Sequence, residues 1–150
     1  MERNSGNIYK SARQTAGLTQ ERWAEQIGIS ADTVRLYESG RNYPSDEVAA
    51  RMAEIAGMPV LGYWHLKLKS ALANDALPDV ARLPLPQAVV GLLAAMDAMQ
   101  PEIKELLMIA RDGIVDASET ELFEDILDDL EDVVQAALAV KYAERGGEDG

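Results

Sequence analysis

The chain has 150 residues, 47% hydrophobic and 27% charged, and a formal net charge of −12. That length supports one domain with a good core or two small ones. With no cysteine and a single histidine, disulfides, cysteine zinc sites and thiol catalysis are excluded, and His65 alone argues against a histidine metal site or a serine triad.

No apolar run approaches the roughly 20 residues of a membrane span. The opening residues MERNSGNIYK lack the apolar core of a signal peptide. The expectation is a cytoplasmic protein without membrane contact, cofactor or metal, and not an enzyme, because no nucleophile–base pair is visible. The charge is uneven. Residues 1–72 carry nine Lys/Arg and eight Asp/Glu, whereas residues 73–150 carry five and eighteen. The first half can meet phosphate if its cations share a face, and the second half should avoid it.

In chain order the pattern reads all-α. A first helix is expected over about Ile8 to Ala16, stopped by Gly17. Thr19 can N-cap a second helix ending near Ile27, and Ser30 a third ending at Gly40. Around Gly28, the small or apolar residues Trp23, Ala24 and Ile27 on one side and Ile29, Val34 and Tyr37 on the other suit two short helices with one buried face each. Neither is long enough to be stable alone. A glycine between them permits a tight turn at positive φ. Ser45 can cap a fourth helix that ends at Gly57, and a fifth follows Pro59.

Pro78, Pro84 and Pro86 then break helical continuity, so residues 73–85 read as a linker. Three further helices are expected near 86–99, 102–115 and 119–144, with Ser118 and Glu121 forming a capping box at the start of the last. That last stretch repeats apolar residues at nearly heptad spacing from Phe123 to Val140, compatible with a bundle or a dimer seam. Its carboxylates, dense in EDILDDLEDV, lack the glycine and spacing of a calcium loop and read as a solvated face. Residues 86–145 are thus expected to form an acidic helical region for dimerisation or effector binding. Residues 146–150 are expected to be a disordered tail.

The stretch Gln20–Ser39, with AGLTQ before it and ESGRNYPS after it, resembles the helix-turn-helix of the phage-repressor and Cro-like (XRE) family of transcriptional regulators. The resemblance covers about Ile8 to Leu68 and implies a five-helix DNA-binding domain over residues 1–72. It implies that the third helix lies in the major groove of double-stranded DNA. Ser30, Ala31, Asp32, Arg35 and Leu36 are then the positions that reach bases, and Thr33 lies near the backbone. Arg35 can fork onto guanine O6 and N7 or contact phosphate, and Asp32 can accept from cytosine N4 or serve the helix dipole. Ala31 can touch a thymine methyl. Thr19 and Gln20 are implied as one phosphate contact, with Gln20 also bracing the recognition helix, and Arg41 and Asn42 as a second. Arg13 and Glu38 stand where the family often has a structural ion pair. The expected function is a dimeric, sequence-specific regulator, a repressor, on an inverted repeat. The rivals are an antitoxin whose residues 119–144 bind a partner protein, and an interaction module with a vestigial helix-turn-helix.

Overall fold

The computed structural model describes residues 7–146; most of the tail expected to be disordered, 147–150, lies outside them. Nine helices and no strands occur among the described residues, so the fold is all-α. No helix there is long and apolar enough to cross a membrane. The chain divides into two compact units, with the boundary between Leu77 and Pro78.

The first unit contains α1 (Ile8–Thr15), α2 (Gln20–Ile27), α3 (Ala31–Glu38), α4 (Asp46–Ile55), α5 (Val60–Lys69) and α6 (Ala71–Ala76). The first four starts each have a side-chain cap. Asn7 accepts from the backbone N–H groups of Tyr9 and Lys10, Thr19 from Arg22, Ser30 from Thr33 and Ser45 from Val48. These N-caps satisfy donors that have no partner inside a first turn, each worth about 1 kcal/mol. α1 packs on α3, α4 and α5, and α2 packs on α3 and α4. Tyr9, Ala12, Trp23, Ala24, Ile27, Val34, Met52 and Leu61 are buried as the core. Burying each large side chain contributes about 1.5–3 kcal/mol, which is what holds helices of eight or ten residues.

Inside this unit, His65 is only 4% exposed and lies between two partners. Its Nδ1 is 2.8 Å from the Tyr9 hydroxyl, and its Nε2 is 3.1 Å from Asp46 Oδ1. Three helices are tied by this line. Burial pushes the Tyr9 hydroxyl pKa well up, whereas hydrogen bonds from His65 and then Lys69 hold the Asp46 carboxyl below its usual value.

The second unit contains α7 (Leu85–Met99), α8 (Glu102–Ile109) and α9 (Thr120–Lys141). α7 lies along α9, and α8 packs on both. Ala88, Ala139 and Ala143 form one buried cluster; Met99, Ile109 and Ile126 form another, covered by Leu106, Phe123, Leu130 and Val133.

Three local expectations differ from the structure. Residues 73–85 are not simply a linker. Ser70 caps α6 through Ala73 N–H, and Lys67 Nζ donates to the Leu77 carbonyl 2.7 Å away, so helix continues to Ala76. Farther on, Glu144 N–H donates to Leu83 and Leu85 N–H to Glu144, which pins the segment before α7 to the end of α9. The helix expected over 102–115 ends at Ile109, because Gly113 turns the chain with φ +78. The capping box uses Asp116 and Glu119 instead of Ser118 and Glu121: Asp116 Oδ1 accepts from Glu119 N–H, and Glu119 Oε2 accepts from Asp116 N–H. Asp116 also takes the Ser118 N–H and hydroxyl, so Ser118 is a partner of the cap rather than the cap.

Two predictions follow from these contacts. Gly28 has φ +84, and a Cβ there would meet only Arg51 Nη1, at an ordinary 3.8 Å. Gly28→Ala should therefore cost backbone strain alone, about 1 kcal/mol. Urea unfolding followed by tryptophan fluorescence reads this, since Trp23 and Trp64 both belong to the first unit. A variant as stable as the parent would remove the argument for glycine. In the second unit, burial and then the charges of Asp129, Asp125 and Glu105 push the Glu102 carboxyl up. A raised acid disfavours the fold above its folded pKa and stops doing so as pH falls through it. Glu102→Gln should raise the melting temperature of this unit at neutral pH, and the gain should shrink toward pH 4.

Candidate nucleic-acid interface

The geometry of α2 and α3 begins with their turn. Gly28 is left-handed, and its N–H and that of Ile29 both donate to the Ala24 carbonyl, at 2.9 and 3.0 Å. Arg51 Nη1 donates to the Ile27 carbonyl from α4, so this cation caps α2 and is scaffold. Ala24 is 3% exposed, and no larger side chain would fit there without separating the helices.

The C-terminal end of α3 is fixed from two other helices. Arg13 of α1 holds Glu38 with two hydrogen bonds, Nε to Oε1 at 2.5 Å and Nη2 to Oε2 at 3.1 Å. Arg13 Nη1 also donates to the Leu18 carbonyl ahead of α2. Gln20 of α2 donates its Nε2 to Glu38 Oε2 at 2.8 Å. Both charged side chains are largely covered, 14% and 6% exposed. Burial pushes the Glu38 carboxyl up, but the hydrogen bonds of Arg13 and Gln20, with the Arg13 charge, outweigh it and hold the group below its usual value. The same hydrogen bond raises the Arg13 pKa, so both partners remain charged.

The residues expected to face a duplex fall as follows. Ser30 caps α3, and its hydroxyl lies 2.8 Å from that of Thr33, so the two polar groups at this edge are mutually engaged. Ala31 is half-buried, whereas Asp32, Arg35 and Leu36 are exposed on α3. Arg35 is not free. Its Nη1 donates to Asp32 Oδ1 at 2.5 Å and its Nη2 to Glu21 Oε1 of α2 at 3.1 Å. Thr19 is exposed at the start of α2. Arg41 and Asn42 follow α3 in a turn whose N–H groups both donate to the Leu36 carbonyl. The Arg41 side chain is exposed. Asn42 Oδ1 accepts from Tyr43 N–H. Arg22 is paired with Glu25.

Sequence reasoning missed Glu21. Its approach to Arg35 crosses from one helix to the next, and spacing in the chain carries no sign of it. The Asp32–Arg35 pair, three residues apart on one helix, was within reach of the spacing rule. Gln20 was expected to touch phosphate and to brace α3. The brace is formed, and the amide keeps one further N–H for another acceptor.

Residues 10–61 match the sequence model of a helix-turn-helix domain. No curated protein and no solved structure matches the chain significantly.

Glu38→Gln should cost about 2 kcal/mol at pH 7, because Arg13 is left charged and covered without its partner. The Glu38 carboxyl is depressed in the fold, so its contribution is present above the unfolded carboxylate pKa of about 4.3 and is lost as pH falls through the folded value. The stability gap between parent and variant should therefore close below about pH 4, as measured by urea unfolding across pH. A gap independent of pH would place the cost in packing rather than in charge.

Proposed function

We propose, with a helix-turn-helix domain at residues 10–61 as the premise, that the chain is a sequence-specific DNA-binding transcriptional regulator, a repressor, acting inside the cell as a dimer. What carries the reading is the braced α2–α3 pair, which presents the exposed Asp32, Arg35 and Leu36 from one short helix. α3 enters the major groove with these side chains toward base edges. Gln20 and Arg41 meet phosphates on either side and set register.

The carboxylates around Arg35 fit this role. The side chains of Arg35, Glu21 and Asp32 are 51%, 65% and 89% exposed, and ion pairs that open to water contribute about 0–1 kcal/mol. A bidentate fork on guanine discriminates by about 1–3 kcal/mol, so the correct base can draw Arg35 away. Phosphate alone does so less well, because Glu21 and Asp32 repel it. The result is weak binding to arbitrary sequence and a larger ratio between right and wrong sites. A dimer follows from the same need, since one such helix reads only a few base pairs.

A second reading rests on α9, whose seven carboxylates in 22 residues suit a basic protein surface, as in an antitoxin. Binding assays separate the two. Arg41→Ala should weaken every duplex and reduce the slope of log affinity against log salt by about 1. Arg35→Ala should relax preference at one base position, at a cost of about 1–3 kcal/mol. Selection from a random duplex library should return an inverted repeat with fixed spacing. Neither variant changing binding, with no sequence enriched, would sink the DNA reading in favour of a protein partner.

A further inference from the structure

α7 is the least polar helix of the second unit. Across Leu85–Met99 only Gln87 and Asp97 carry polar side chains. Ala88, Leu92, Ala95 and Met99, spaced by four, three and four residues, form its covered stripe. A helix apolar on nearly every side belongs in an interior. Yet Leu85, Val89, Leu93 and Met96 form an adjoining stripe that is exposed, with Leu93 60% exposed, and Val90 beside it is 67% exposed.

We propose that this stripe is the contact between two copies of the chain, α7 against α7 across a two-fold axis. The inference rests on the dimeric reading above and assigns its surface. In a two-fold pair each patch meets itself, so a charged patch repels its own copy. α9 carries seven carboxylates in 22 residues, whereas α7 carries one, Asp97, in 15. Among the helices of this acidic unit, α7 sets the fewest carboxylates against a second copy. The repeat on α9 is already used: Phe123, Ile126, Leu130 and Val133 pack inside the unit. An antiparallel partner centred near Gly91 sets Leu85 toward Met96 and Val89 toward Leu93. Its exposed apolar area is on the order of 400 Å², within the range of the largest patch on an ordinary monomer. Ile103, Leu107 and Met108 of α8 are exposed as well.

The test is sedimentation equilibrium of the full chain without DNA, with circular dichroism confirming helix content. The parent should be a dimer at about 10 µM, and Leu93→Lys and Val89→Glu, which face each other across the axis, should each raise the dimer dissociation constant by at least about 100-fold. Mixing the two variants should restore a dimer, which two misfolded chains would not do. A monomeric parent at that concentration, variants that stay dimeric, or monomers that fail to recombine would each overturn the seam. Duplex binding is read separately. A monomeric Leu93→Lys that still binds a half-site weakly supports the seam and leaves the DNA reading standing. A dimer of the parent that binds no duplex overturns the DNA reading and not the seam.

Discussion

Glu38 is where three helices of the first unit are joined. It sits at the end of α3, receives two hydrogen bonds from Arg13 of α1 and one from Gln20 of α2, and has only 6% of its side chain exposed. A carboxylate with that little water is tolerated because its charge is matched and its lone pairs are occupied. The geometry is demanding: a small rotation of α3 would break a bidentate contact while leaving both charges covered. An apolar contact would slide at far lower cost. The angle at which α3 leaves the core is thus held at one end by this pair and at the other by the turn at Gly28. Apolar burial provides most of the stability, and the ion pair restricts which arrangement is stable.

The covered and exposed sides of α3 treat charge in opposite ways. On the covered side, Arg13 and Glu38 are locked together. On the exposed side, Arg35 is shared between Glu21 and Asp32 in contact with water. Screening makes the second arrangement weak, and a weak partner is one a ligand can displace. The same residue types therefore form a fixed, covered pair in one place and an exposed, weak one in the other, and burial decides which.

The second unit shows how an apolar pattern is divided. The inward stripe of α9 is covered by α7 and α8. α7 provides more apolar surface than α9 can cover, because α9 occupies only one side of it. The surplus stays exposed on a unit whose remaining surface is rich in carboxylates.

The sequence by itself determined the helical class, the positions of the first five helices and the turn at Gly28. Each of these depends on neighbours within about five residues: a cap, a glycine, or an apolar residue three or four places on. It also placed Arg13 and Glu38 together by resemblance. It misjudged the ends of later elements. α8 stops at Ile109 ahead of the left-handed turn at Gly113, and the last capping box shifts to Asp116 and Glu119 because several residues there can cap and local pattern does not rank them. Only the tertiary structure decided that Glu21 meets Arg35, that Arg51 closes α2, that His65 bridges Tyr9 and Asp46, and that the stripe of α9 is covered while that of α7 is not. These are contacts between residues 14 to 56 positions apart. Spacing along one helix sets which side chains share a face. Which faces then meet depends on how the helices pack, and no periodicity within a single helix records it.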